Sequence, residues 1–428
     1  MKRLVWILVS LSLVQAAPVW QQSGFSNTDG WTTWAHRPEI APRTYLETVV
    51  SRGEAGALAV SGNSNSAAYG GWERSIPVTP GKWYRLTAHY RATGVTHEGL
   101  QVLARVDWQS APNKRAGQPD YAWKLTPAND GWKRIELEAP APANATAAKL
   151  QLYLQNAPQG TVYWDDIALE ELAPPSVRKV TVAAVNLRPT RSDDAAGSVR
   201  KFLDLVDSQV AAGTDVILLP EGITVVSTGK KPSDVAETIP GPTTLSLGEM
   251  AKRKNAYIVA GIYEREGHAL YNTAIFLDRK GQLVGKYRKV YLPREEIEGG
   301  LTPGNEYPVF NTDFGKVGVM ICWDIQYADP ARALARRGAE LLLVPIWGGN
   351  ETLGKARAIE NRVFIASSGY NYPTYVMDPD GEILSLARQN GTTAVATIDL
   401  NKRYADQWLG DMRGRFMKEI RMDVPTEP

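Results

Sequence analysis

The 428-residue chain contains one cysteine, Cys322, in the run GKVGVMICWDIQ. The apolar residues 317–321 read as a strand that delivers the cysteine to a sharp turn, and a helical pattern resumes soon after it. A strand-to-helix turn exposes a side chain at the sheet end and lets backbone N–H groups face a developing oxyanion. A thiol of ordinary pKa, about 8.5, is only a few per cent ionised at neutral pH, so a nucleophile needs a base or a lowered pKa. Histidine is the usual base, but the second half holds only His268, in the turn GHAL, with no acidic or amide partner motif beside it. Two other strand-end residues offer the missing chemistry. Glu221 follows the apolar strand of DVILLPEG, where partial desolvation raises a carboxyl toward the general-base range. Lys289 lies in GQLVGKYRKVYLP, where its ammonium can hold an oxyanion as a point charge.

Composition narrows the alternatives. One cysteine excludes an intrachain disulfide and a thiolate-rich zinc or iron–sulfur site. Four histidines leave little for a histidine-based metal centre; hydrolysis by a thiol, a carboxylate and an ammonium is expected to need no metal and no organic cofactor. With 48 Lys plus Arg against 46 Asp plus Glu, the net charge of +2 argues against a nucleic-acid partner. At the start, Lys2 and Arg3 precede an apolar run over 4–14 and a small residue, Ala16. That pattern predicts a signal peptide over 1–16 and a secreted or periplasmic protein. No later stretch approaches eighteen uninterrupted apolar residues, so no stable membrane anchor is expected.

The elements that must position these residues fall in two halves. Eight tryptophans lie between 21 and 172 and three beyond 173, with a proline-containing linker over 173–177 between them. The first half shows β-rich or alternating runs at 57–60, 83–90, 99–108, 132–138, 148–154 and 161–169, separated by turn clusters. This predicts a β-sandwich or jelly roll over 21–172. The second half, 178–428, alternates strands and helices. Strands are expected at 180–186, 215–219, 256–263, 269–277, 282–287, 317–322, 341–347, 363–370, 375–377 and 393–398. Helices are expected at 192–213, 244–252, 331–337 and 355–362, which gives an α/β core.

Residues 21–172 resemble carbohydrate-binding modules of the galactose-binding jelly-roll type, through YGGWERSIPVTPGKWYRLTAHYRA (69–92) and VYWDDIALEEL (162–172). The resemblance implies glycan binding, with Trp31, Trp34 and Trp72 the candidates for exposure beside Gly-, Thr- and Ser-rich segments. Residues 178–400 resemble the nitrilase, or carbon–nitrogen hydrolase, superfamily. Glu221 in LLPEG, Lys289 in GKYRKVYLP and Cys322 in ICWDIQ stand in that order, 68 and 33 positions apart. VTVAAVNLRP, GLTPGNEYPVFNTDFGKVGVMICWD, ARAIENRVFIASSGY and MDPDGEIL add to the match.

The resemblance implies a four-layer α-β-β-α sandwich and homo-oligomers. It implies that Glu221 is the general base for Cys322, and that Lys289 holds the oxyanion with the backbone N–H of Trp323. A second glutamate is expected in REEIEGGLTPG; Glu296 is favoured, Glu298 is the alternative, and Glu295 also lies there. After the cysteine many members read aromatic-Asp-Arg-Phe-Pro-Glu, whereas this chain has Gln326, Ala328 and Asp329, and Tyr291 where many have histidine. A small-molecule amide or nitrile is the expected substrate. Amidase, nitrilase, N-carbamoyl hydrolase and acyltransferase activities remain open, as does a glycan-binding secreted protein with an inert hydrolase half.

Overall fold

The computed structural model describes residues 18–53, 55–370 and 373–424. The expected signal peptide over 1–16 lies outside the described residues. Contacts divide the chain into two units: residues up to Pro175 together with Ala405 onward, and Ser176–Tyr404.

The first unit is β-rich, with antiparallel sheets of seven and six strands. In the larger sheet Trp83–Thr93 pairs with Lys133–Pro140 on one side and Thr161–Leu172 on the other. Strict alternation along Trp83–Thr93 buries Tyr84, Leu86, Ala88 and Tyr90. In the smaller sheet Ala147–Gln155 lies between Tyr69–Pro77 and Val102–Ala111. Its Leu150, Leu152 and Leu154 join the same apolar core, which leaves Lys149, Gln151 and Tyr153 on the opposite face.

Two expectations about this half need correction. Trp31 and Trp72 are buried, at 6% and 5% exposure, and only Trp34 is open, at 37%. The indole of Trp72 donates to the Ala59 carbonyl, that of Trp31 to Gln22 Oε1, both at 3.0 Å. Loop-flanking composition therefore misjudged two rings whose N–H groups found partners inside. The expected unit over 178–428 is also too long. The last helix, Met412–Glu419, is capped by Asp411 and belongs with the first unit. Lys418 Nζ donates to the Val102 carbonyl at 3.1 Å, and the Arg413 guanidinium lies 5.5 Å from the Trp123 ring.

The second unit holds two six-stranded mixed sheets. In the first, Lys179–Asn186, Val216–Leu218 and Tyr257–Glu266 run parallel, and Ala269–Leu277 and Leu283–Arg288 continue antiparallel. In the second, Lys316–Val319, Leu341–Pro345 and Phe364–Ser368 run parallel, followed by antiparallel Thr374–Met377 and Ile383–Ala387. Val180, Val182 and Ala184 face Val317, Val319, Leu341 and Leu343 of the other sheet. Their neighbours Ala183 and Val185 face Phe202, Val206, Leu247 and Met250 of two outer helices, Ala195–Gln209 and Pro242–Lys254. Strands buried on both faces are apolar at nearly every position, which is why they read as continuous runs. On the far side Leu334, in helix Asp329–Arg336, sits over Gly318 of the second sheet. Helix, sheet, sheet and helix thus give an α/β fold of nitrilase type. The first helix begins at Ala195, later than expected, because the Asp194 carboxylate accepts the Gly197 N–H at 2.7 Å and caps it.

Candidate active site

Three strand ends and one loop converge in the second unit. Val216–Leu218 runs through Leu219 and Pro220 into Glu221, 2% exposed. Its backbone passes so close to Gly261 that a Cβ there would lie 2.6 Å from the Glu221 Cα. Leu283–Arg288 delivers Lys289, also 2% exposed. The short helix Arg294–Glu298 turns Glu296 inward. Lys289 Nζ donates at 3.0 Å to Glu221 Oε1 and at 3.0 Å to Glu296 Oε1. Glu295 faces solvent, and Glu298 pairs with Arg294 at 3.4 Å on the surface. The loop therefore brings Glu296, and neither neighbouring glutamate, to Lys289.

Cys322 follows Lys316–Val319 by three residues and opens the 3-10 turn Cys322–Gln326. Its φ is +44°, a left-handed conformation that costs a residue with a Cβ about 1–2 kcal/mol. The half-buried thiol donates to the Gly348 carbonyl at 3.6 Å. Asp324, fully buried beneath the turn, fixes this shape. Its carboxylate accepts from the Tyr287 hydroxyl at 2.7 Å, the Ile321 N–H at 2.8 Å and the Tyr291 N–H at 2.9 Å. Burial pushes the Asp324 carboxyl up to about 6 despite these donors. Trp323 is 38% exposed, and its N–H lies in the first turn of the 3-10 helix, where N–H groups have no acceptor within the helix.

The charges act on one another. Burial pushes the Cys322 thiol up to about 12; the Glu221 charge adds to the rise and Lys289 opposes it. Burial alone would lower the Lys289 ammonium, but Glu221, Cys322 and Glu296 together hold it above its ordinary range. Burial raises the Glu296 carboxyl against the pull of Lys289.

Two residues that sequence reasoning passed over complete the set. Asn272, 1% exposed on Ala269–Leu277, donates to Glu221 Oε1 at 2.7 Å and to Glu296 Oε1 at 2.9 Å. An amide inside the apolar run ALYNTAIFL was the available signal. The buried Tyr370 hydroxyl donates to the Glu221 carbonyl at 2.7 Å, and its ring packs edge-on against Trp347 at 4.9 Å. The residues that depart from the common pattern also gather. The Tyr291 ring stacks on Tyr327 at 4.0 Å, and its hydroxyl lies 3.4 Å from the Asp329 carboxylate. No cluster of metal-ligating side chains occurs among the described residues.

An α/β sandwich that converges a cysteine, two glutamates and a lysine defines a class of hydrolase, and comparison with known proteins agrees. The carbon-nitrogen hydrolase family model matches residues 181–407, just over half of the 428-residue chain. The chain belongs to that family and is a carbon–nitrogen hydrolase. It is 32% identical over 261 residues to omega-amidase NIT2 of Mus musculus, spanning 54% of this chain and 91% of the mouse protein. It is 31% identical over 275 residues to omega-amidase NIT2 of Danio rerio, spanning 58% of this chain and 96% of the fish protein. Among solved structures, it is similar to Nit3 of Saccharomyces cerevisiae, a member of branch 10 of the nitrilase superfamily. That match has 22% identity and a TM-score of 0.46, and covers 60% of this chain and 98% of the yeast chain.

Proposed function

We propose that the enzyme hydrolyses a small non-peptide amide through a thioester on Cys322. One observation carries the reading. Lys289 and Asn272 both bind Glu221 Oε1, while Oε2 is buried without a partner among the described residues. An acceptor held in place by one oxygen and open at the other is arranged to take a proton.

In the proposed sequence Cys322 Sγ attacks the amide carbon as its proton passes to Glu221. The carbonyl oxygen gains charge beside Lys289 Nζ and the Trp323 backbone N–H. Glu221 then protonates the nitrogen, the C–N bond breaks, and ammonia or an amine leaves. Water attacks the thioester and gives a proton to Glu221. The C–S bond breaks, the proton returns to sulfur, and the acid departs. Glu296 and Asn272 hold the Lys289–Glu221 pair in register. The names of the mouse and fish relatives favour an amide over a nitrile.

A panel of amides, carbamoyl compounds and nitriles, read by ammonia and acid release, tests the proposal. Turnover is expected on an amide and lost in Cys322→Ala and Glu221→Gln. Wild-type ammonia release by Cys322→Ala would end the covalent mechanism. The reading includes a place outside the cytoplasm, supported by the basic and apolar start of the sequence; cell fractionation checks it.

A further inference from the structure

Among the described residues, a buried cation in the first unit lacks a counter-ion. Arg105, on Val102–Ala111, is 8% exposed. Its Nε donates to Gln151 Oε1 and its Nη1 to the Tyr121 hydroxyl at 3.1 Å. The guanidinium lies 5.6 Å from the Tyr121 ring centre and 5.4 Å from that of Tyr153. All these partners are neutral. The nearby carboxylates pair with other cations, Asp107 with Arg115 at 3.0 Å and Glu73 with Lys149 at 3.6 Å; Glu73 Oε1 also accepts from Gln151 and Tyr153, so it reaches Arg105 only through those two neutral side chains. Arg105 has no ion-pair partner among the described residues. A buried charge left this way costs several kcal/mol unless something else neutralises it.

Arg105 opens onto two cavities, of about 160 and 190 Å³, which also share Arg115. The first is floored by polar side chains of the smaller sheet that are nonetheless buried, Glu73, Asp107, Gln109 and Gln151, at 4–7% exposure. Gln109 Nε2 donates to Asp107 Oδ2 at 2.9 Å, whereas Gln109 Oε1 is buried with no partner among the described residues. Trp34 borders the same cavity. Its ring lies flat against Tyr153, at 5.6 Å and 7° between planes, and it is 37% exposed.

We infer that this cleft binds a saccharide carrying an acidic group, such as a uronic acid residue. The acid would neutralise Arg105, a ring hydroxyl would donate to Gln109 Oε1, and the apolar face of the sugar would cover Trp34. A small inorganic anion would meet the cations that line the cavity, Arg105, Arg115 and Lys149, but leave Gln109 Oε1 and Trp34 unused. A neutral sugar would use Trp34 and Gln109 but leave the guanidinium uncompensated. An acidic sugar uses all three. Every residue involved lies in the first unit, so the inference stands apart from the amide-hydrolysis reading.

Affinity electrophoresis of the full chain tests it. The gels contain polygalacturonate, alginate or hyaluronan, with dextran and galactomannan as neutral polymers and dextran sulfate as a plain polyanion. Retardation is expected in at least one uronate gel and in neither neutral gel. Trp34→Ala and Gln109→Ala are each expected to weaken it by about tenfold or more, the loss of one stacked ring or one buried hydrogen bond. Amide turnover should stay unchanged in Trp34→Ala. No retardation in any of the three uronate gels would overturn the inference. Equal retardation by the neutral polymers, retardation confined to dextran sulfate, or uronate binding that survives Trp34→Ala would do the same.

Discussion

Lys289 and Glu221 form an ion pair at 3.0 Å in which neither side chain is more than 3% exposed. Such a pair persists only when further hydrogen bonds share the desolvation cost, and here Asn272 and Glu296 supply them. Lys289→Met would leave the buried Glu221 carboxylate facing the partly buried one of Glu296. A loss of about 3–5 kcal/mol in stability at neutral pH is expected, with turnover abolished. The sign of the pH response follows. Burial already raises the Glu296 carboxyl against the pull of Lys289; without the ammonium that rise grows, so the variant is least stable above the folded Glu296 value and recovers as pH falls toward the unfolded range. Thermal melts from neutral to mildly acidic pH read this; a variant that melts like wild type at neutral pH would contradict the pairing.

Gly261 is needed for closeness. A Cβ there would stand 2.6 Å from the Glu221 Cα, with backbone on the other side of the contact and no flexible chain end to yield. Gly261→Ala should displace Glu221 and reduce kcat by about 100-fold or more, since misplacement by about 1 Å has that effect. The KM should change little. An unaltered kcat would show that the strand end can shift without moving the carboxylate.

The left-handed turn at Cys322 makes opposite predictions for two inactive variants. Cys322→Ala keeps a Cβ at positive φ, whereas Cys322→Gly relieves it. The glycine variant should be more stable than the alanine variant by about 1 kcal/mol. Paired denaturant titrations decide, and a less stable glycine variant would argue against strain at this turn.

Much of the second unit was legible because its strands are buried on both faces and its punctuation is local. Ala269–Leu277 lies where the sequence places a strand, and Leu341 begins the expected strand before Trp347. Ile383–Ala387 and Val309–Asn311 were missed as strands, since short edge segments of three to five residues carry too little alternation to register. At the site, Glu221, Lys289 and Cys322 announce themselves at the ends of apolar runs. Asn272 does not, because its function is set by two partners 51 and 24 positions away. In the first unit the polar faces of Val102–Ala111 and Ala147–Gln155 read as ordinary solvent-facing alternation. Only the packed sheet shows that Arg105, Gln109 and Gln151 are buried.

Asn272 is therefore a sharp test of the missed part. It donates to the same oxygen of Glu221 that Lys289 binds. Asn272→Ala would remove one donor from the buried Glu221 carboxylate and one from the partly buried Glu296 carboxylate, worth about 1–3 kcal/mol. Turnover should fall by about 10- to 100-fold through kcat. Asn272→Asp should be worse, as a third carboxylate joins two. If the aspartate variant matched wild type in kcat, the bridge would not be positioning the pair.

The last prediction separates charge from catalysis at the thiol. Burial is the largest cause of the high Cys322 pKa, pushed up to about 12, and the Glu221 charge is the next; Lys289 acts in the opposite sense. Glu221→Gln removes the second cause and keeps the first and third. Its thiolate should therefore appear at lower pH than in wild type, although the variant has lost the base that makes the thiol reactive. Ultraviolet absorbance of the thiolate, followed against pH in the two proteins and corrected with Cys322→Ala, gives the two curves directly. A Glu221→Gln curve that coincides with wild type, or lies above it, would mean that the carboxylate does not act on the sulfur. A curve displaced to lower pH with turnover abolished would assign Glu221 to proton transfer, because the more acidic thiol would then be the less productive one.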